Sequence, residues 1–261
     1  MDSNLPNAAV LRMEGTNNDS EAFRSLQESG LNPKYVHLHE IETKKIDLED
    51  FQVLFIPGGF SAGDYVRAGV IFAIRLKTAA GSKINKMVED GKPILGTCNG
   101  FQVLSEMGLT SSRRESRDIA LDVNESGKFE CRTVLIKYTG KNKIFDGKIS
   151  VDTIYEIPVA HKEGRIRFLN ERVKSEVIGD NRTLFRYIDP EGALSGYPWN
   201  PNGSPENIAG ISGEYENVLG LMPHPERIVY EYQLSSGARR MKKVPIGKLF
   251  FQAISEYARK L

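Results

Sequence analysis

The chain has 261 residues, 40% hydrophobic and 26% charged, with a formal net charge of +1. That suits one or two globular domains with a real core and excludes the basic footprint of a nucleic-acid binder. Its two cysteines, Cys98 and Cys131, are too few for a disulfide scaffold and lack zinc-site spacing, so no metal is expected.

The first half alternates strand and helix signals. Ala8 to Leu11 is a short apolar run, and Asp19 or Ser20 is placed to cap a helix with Ala22, Phe23 and Leu26 on one face, ending at Gly30. Tyr35 to Leu38 alternates like a strand, and Val53 to Ile56 is a continuous apolar run, as in a parallel strand buried on both faces. Val70 to Asp90 reads as a long helix, with Gly81 as a candidate break. Ile94 and Leu95 form the next strand and Asn99 to Met107 the next helix. In the second half, Cys131 to Tyr138, Val151 to Ala160, Thr183 to Ile188 and Ala209 to Ser212 read as strands, and helical patterns are scarce until Ile246 to Tyr257. The pattern predicts an α/β fold: a doubly wound, mostly parallel sheet flanked by helices, with a strand-rich portion added in the second half. No linker separates the halves, so a single domain over residues 8–261 is expected. The run Tyr197 to Pro205, dense in proline and glycine, reads as an ordered loop. The basic cluster Arg239-Arg240-Met241-Lys242-Lys243 reads as a solvated or partner-facing surface.

The most informative residue is Cys98. The apolar strand before it runs into Gly96-Thr97-Cys98-Asn99-Gly100, a nucleophile elbow written with cysteine. Glycines on both sides allow a tight strand-to-helix turn, and a helix N-terminus favours thiolate over thiol. A buried cysteine between turn glycines would carry the same local pattern. What favours catalysis is Met222-Pro223-His224-Pro225-Glu226-Arg227, which offers a base and a carboxylate after an apolar strand. Alternation along an extended segment is expected to put His224 and Glu226 on one side. The backbone N–H groups of Pro57-Gly58-Gly59-Phe60, together with that of Asn99, supply donors for a tetrahedral oxyanion. Sites in doubly wound sheets lie at the C-terminal strand ends, so Gly59 and Cys98 are expected to face one crevice.

These motifs resemble the class I glutamine amidotransferases, which carry a Cys-His-Glu triad. More of the chain narrows the likeness to the glutaminase subunits of phosphoribosylformylglycinamidine synthase: Glu14 to Asn17, Pro57 to Gly69, Ala160 to Arg165 and Asn200 to Ser204. The resemblance implies a flavodoxin-like fold, catalytic Cys98, His224 and Glu226, an oxyanion hole of Gly59 and Asn99, and glutamine contacts from Gly58 and Gln102. It places His161 near the glutamine pocket or the partner surface; a structural histidine is the other reading. The partners implied are L-glutamine, an ATP-dependent synthetase large subunit and a small accessory subunit. No cofactor is expected in this chain. The same resemblance implies ATP and magnesium on the synthetase, which fits the lack of a Walker-type loop in this chain.

The chain departs from the usual family pattern at Glu14, Asn18, Ala62 and Lys162, none of which is expected to touch the triad. The segment Ile228 to Val244 is longer than in compact members. The loops Ser61 to Gly69 and Asn200 to Ser204 are expected to be ordered by a partner. With no signal-peptide pattern read at the start and no apolar run near about 18 residues, a cytoplasmic location is expected. Two other readings stay open: a stand-alone cysteine hydrolase of a related elbow-cysteine family, and a non-catalytic scaffold subunit.

Overall fold

The computed structural model describes residues 5–151 and 153–261. In chain order the strands and helices are β1 (Asn7–Arg12), α1 (Asp19–Glu28), β2 (Asn32–His37), α2 (Leu38–Glu42), β3 (Val53–Ile56), α3 (Val70–Glu89), β4 (Ile94–Thr97), α4 (Asn99–Glu106), β5 (Ile119–Asp122), β6 (Glu130–Tyr138), β7 (Ile154–His161), β8 (Arg165–Phe168), α5 (Glu171–Gly179), β9 (Thr183–Ile188), β10 (Ile208–Ser212), β11 (Val218–Leu221), α6 (Ser236–Arg240) and α7 (Ile246–Ala258).

Nine strands form one sheet in the order β2-β1-β3-β4-β11-β10-β9-β6-β7. The first five are parallel to one another; from β10 outward every pairing is antiparallel. β5 and β8 make a separate antiparallel pair. The parallel half is the expected doubly wound sheet, and the strand-rich second half continues it rather than standing apart.

The central strands read as uninterrupted apolar runs because both their faces are covered. Ala8, Val10, Val53, Phe55 and Leu95 point to one side, where Ala22 and Leu26 of α1 and Phe250, Phe251 and Ile254 of α7 meet them. Ala9, Leu11, Leu54, Ile56 and Ile94 point to the other, against Phe72, Leu76 and Ile84 of α3 and Val103 and Leu104 of α4. Each large side chain removed from water in these layers contributes about 1.5–3 kcal/mol.

Several expectations are corrected. The strand drawn over Tyr35 to Leu38 ends at His37, whose ring accepts from the His39 N–H and starts α2 at Leu38. The break in α3 falls at Ala80 (φ −142°), one residue before Gly81. Val151 lies in a turn and position 152 lies outside the described residues, so β7 starts only at Ile154. α5 was not foreseen, because Val173 and Val177 are its only buried residues and leave too narrow an apolar stripe to read. β5 and β8 were missed because they are short and only partly buried, so neither shows the continuous apolar run of the equally short β3. The long segment Ile228 to Val244 contains α6 and helps to line a cavity of about 710 Å³ between α1 and α7, whose lining includes none of Cys98, His224 and Glu226.

Candidate active site

β4 lies between β3 and β11, fully buried, and aims its C-terminal end at α4. Cys98 makes the turn between them in a left-handed backbone conformation (φ 50°, ψ −108°), which costs a non-glycine residue about 1–3 kcal/mol. The turn closes only because neighbouring side chains are missing: a Cβ on Gly100 would fall 1.9 Å from the Ile56 carbonyl oxygen. Cys98 is 6% exposed, and its Sγ lies 3.5 Å from the Ala160 carbonyl of β7.

Parallel pairing of β4 with β11 brings the distant partners in. Leu221 sits opposite Thr97, and the Cys98 N–H donates to the Leu221 carbonyl at 2.8 Å. Two residues beyond Met222, the His224 N–H donates to Pro158 of β7 at 2.9 Å. His224 and Glu226 do meet, but not by strand alternation. Pro225 to Arg227 form a single helical turn capped by His224, and that turn folds the carboxylate back onto the ring. His224 Nδ1 lies 2.7 Å from Glu226 Oε1, and both residues are buried. The Thr97 hydroxyl approaches the same oxygen at 3.4 Å. Burial disfavours a charged imidazole here, but the Glu226 carboxylate and the Cys98 sulfur outweigh it and hold His224 protonated, up to about pH 10. With Nδ1 donating to Glu226, Nε2 is left without a hydrogen-bond partner.

Gly58 packs behind this group. A Cβ there would lie 2.8 Å from His224 Cε1, 3.3 Å from Cys98 Cβ and 2.6 Å from Asn18 Nδ2, so the three side chains converge on the space glycine leaves open. Asn18 was expected to stay clear of the triad; instead its Nδ2 is 3.1 Å from His224 Nδ1 and its Oδ1 accepts from Arg227. The expectation failed because residue 18 follows β1, and β1 pairs directly with β3, whose end carries Gly58.

Gly59 continues from β3 with φ +155°, its Cα face pressed against Gly15 to Asn17. Among the described residues no group accepts from the Gly59 or Asn99 N–H. Gln102 lines the cavity beside Cys98, yet both ends of its amide are engaged: Nε2 donates to the Glu163 carbonyl at 2.6 Å and Oε1 accepts from Asn99 at 2.9 Å.

Two cavities meet at Cys98. One, about 280 Å³, is lined by Asp64, Cys98, Gln102, His161 and Glu163 among others; the second, about 200 Å³, by Cys98, His224, Asn18 and Arg227. Phe60 and Phe129, stacked with ring centroids 6.3 Å apart, line both. His161 is 2% exposed. Asn124 Nδ2 donates to two carbonyls, so its Oδ1 is the acceptor facing His161 Nδ1 at 3.1 Å, and Nδ1 carries the proton. Burial, with the nearby His224 charge, pushes His161 down to about 3, so the ring is neutral.

The sequence reading missed four residues, since each is brought in by a loop at a different strand end. Asn124 lies in no motif; Asp64 and Arg227 lie within Pro57 to Gly69 and Met222 to Arg227 but were given no role there, and Asn18 was set apart from the triad. The loop Asn200 to Ser204, expected to wait for a partner, is buried and satisfied within the chain: Asn202 donates to the Gly164 carbonyl at 2.7 Å, and Ser204 Oγ accepts from the Ile166 N–H at 3.0 Å.

Residues 5–258 match the CobB/CobQ-like glutamine amidotransferase domain. The chain belongs to this glutamine amidotransferase family. It is similar to the phosphoribosylformylglycinamidine synthase subunit PurQ of Picrophilus torridus, 49% identical over 95% of this chain and 96% of the relative. The corresponding subunit of Archaeoglobus fulgidus is 39% identical over the full length of both. Among solved structures, a chain of PurLQS from Thermotoga maritima superposes with a TM-score of 0.74 at 35% identity, covering 97% of this chain and 99% of that one. A second glutamine amidotransferase from Thermotoga maritima, 16% identical with a TM-score of 0.57 over 98% of this chain and 99% of that one, shares the fold.

Proposed function

We propose that this chain is the glutaminase subunit of phosphoribosylformylglycinamidine synthase in purine biosynthesis, and that Cys98, His224 and Glu226 carry its chemistry. The observation that carries the reading is the meeting of a strained elbow cysteine with a buried His224–Glu226 pair at the end of adjacent parallel strands.

Cys98 Sγ attacks the carboxamide carbon of glutamine, and the carbonyl electrons move onto oxygen. The free N–H groups of Gly59 and Asn99 face that oxyanion. As the tetrahedral species collapses, the carbon–nitrogen bond breaks and His224 Nε2–H protonates the leaving nitrogen, releasing ammonia and a glutamyl thioester. His224, now neutral, takes a proton from water; the hydroxide attacks the thioester, glutamate leaves, and the thiolate–imidazolium pair is restored. Glu226 holds Nδ1–H throughout and stabilises the ring's charge. Gly58 serves by leaving room for the three side chains, and Gln102 by tying α4 to the Glu163 carbonyl of the cavity wall.

The ammonia passes to the synthetase large subunit, where ATP and magnesium act, in a complex that includes a small accessory subunit. The PurLQS likeness supports this assembly. No cofactor is assigned to this chain, because its own groups provide nucleophile, acid–base and oxyanion donors. No helix among the described residues is long and apolar enough to cross a membrane, which supports a cytoplasmic location.

The test is Cys98→Ala in the assembled enzyme. Glutamine-dependent synthesis should be abolished while ammonia-dependent synthesis survives. Equal loss of both in a folded complex would make Cys98 structural. Peptide turnover without glutamine turnover would favour the stand-alone hydrolase.

A further inference from the structure

The cavity of about 710 Å³ between α1 and α7 shares no lining residue with the two cavities at Cys98. Its volume is in the range of small-molecule sites, about 300–1,000 Å³. Phe251 of α7, 1% exposed, and the half-buried Val229 give it an apolar base. The start of the long segment Ile228 to Val244 forms a wall, and that wall is already set. Gln233 Oε1 accepts from the Val229 and Tyr230 N–H groups, both at 2.8 Å, and the Tyr230 hydroxyl donates to Glu28 Oε1 of α1 at 2.5 Å. The Tyr230 and Tyr232 rings stack 8° from parallel, with centroids 5.3 Å apart. Tyr232 is 68% exposed, so the stack ends on an open aromatic ring.

The charged groups around the cavity are free to take a ligand. Arg239 and Lys248 line it, and among the described residues neither forms an ion pair; Arg239 donates to the Tyr232 carbonyl at 3.2 Å. Arg240, Lys242 and Lys243 follow Arg239 in the chain, also without ion pairs among the described residues, so positive potential gathers at this end. Two acids line the cavity as well. Glu28 is held by the Tyr230 hydroxyl, whereas Glu231 is exposed and accepts from no group among the described residues.

An open aromatic ring offers a stacking face to a flat base. Unpaired cations favour a phosphate, which accepts only. A free carboxylate accepts from hydroxyls and suits a ribose diol. One class of molecule carries all three groups within a cavity of this size. We infer that the cavity between α1 and α7 is a binding site for a nucleoside monophosphate, with the base on Tyr232, the ribose hydroxyls on Glu231 and the phosphate on Arg239 and Lys248. The site lies outside the glutamine chemistry and does not rest on that reading.

The experiment is calorimetric titration of the full chain with AMP, adenosine, ribose phosphate and inorganic phosphate. AMP should bind saturably at one site, and each of the other three should bind on the order of tenfold more weakly or less, because each lacks a group that the site reads. Lys248→Ala and Arg239→Ala should each weaken AMP on the order of tenfold and leave adenosine unchanged. Tyr232→Ala should weaken AMP and adenosine alike and leave ribose phosphate unchanged. Glu231→Ala should weaken AMP but not its analogue lacking both ribose hydroxyls. All four side chains are exposed, so the variants should unfold with the wild type in a thermal scan and keep its glutamine turnover in the complex. No saturable AMP binding, binding of adenosine or of inorganic phosphate as tight as that of AMP, or AMP affinity unmoved by Lys248→Ala and Tyr232→Ala would overturn the inference.

Discussion

At the scale of single residues, the site works by opposing burial with charge. His224 is enclosed, yet Glu226 and the Cys98 sulfur keep its ring protonated well above neutrality. A basic group whose folded pKa is raised stabilises the protein fully below its unfolded value, near 6.5, and loses that contribution as pH rises through about 10. Stability, measured as a urea midpoint, should therefore fall from pH 6.5 toward 10. The fall should be smaller in Glu226→Gln, which cannot favour the imidazolium. In the same variant kcat should drop about 10²-fold or more, though less than in Cys98→Ala, because an amide still touches Nδ1 without stabilising its charge. Unchanged turnover would remove Glu226 from the triad.

At the scale of elements, two contacts hold the crevice in shape. The first is the approach of α4 to β3 across Gly100. An alanine there would put its Cβ into the Ile56 carbonyl, forcing α4 outward and separating the Asn99 and Gly59 donors. Gly100→Ala should lower stability by about 1–3 kcal/mol or more and reduce glutamine turnover at least tenfold, while a Gly81→Ala control in α3, where the nearest atom is 3.5 Å away, should keep activity. The second is Arg182 at the head of β9. It is buried and, among the described residues, without an ion-pair partner; its guanidinium donates to the carbonyls of Thr110, Ser111, Ser112 and Ser212. It thereby ties the segment after α4 to β10. Arg182→Ala strands those carbonyls, and chemical denaturation should show a loss of about 3 kcal/mol or more.

At the scale of the whole molecule, the exposed face next to the site predicts partner control. Tyr65 and Val66 lie almost fully in solvent on the loop that follows Gly59, and Val66, a β-branched residue, sits at φ +72°. The loop is held at both ends, by the Ala62 N–H on the Glu14 carbonyl at 2.9 Å and the Ala68 N–H on Glu163 Oε2 at 3.1 Å, while Tyr65 and Val66 project from its middle. The chain alone should be a poor glutaminase, and adding the synthetase and its accessory subunit should raise kcat at least tenfold as the loop and the neighbouring Gly59 N–H settle. Steady-state ammonia release with and without those subunits checks this; full activity in isolation would contradict it.

Cys98, His224 and Glu226 were legible because each sits in a dense local motif, where glycine, proline and apolar neighbours leave few alternatives. The parallel half of the sheet was legible for a similar reason: strands buried on both faces must be apolar throughout, as Val53 to Ile56 are. The narrow helix α5 was not, since two valines in a polar segment carry little periodic signal. The turn that folds Glu226 onto His224 was missed because two prolines allow either an extended or a helical path. Asp64, His161 and Glu163 lie in stretches that carry the family resemblance, but nothing in those stretches says which side chains face the crevice, and Asn18 reads as clear of the triad. Their roles depend on which strand ends lie side by side, and that order, β1 next to β3 next to β4 next to β11, is fixed by burying two separate apolar layers at once. The sequence by itself therefore pointed to Cys98, His224 and Glu226 as one group and determined the fold class, through local sterics and periodicity. Only the tertiary structure decided what surrounds them, because long-range packing sets which loops share a crevice.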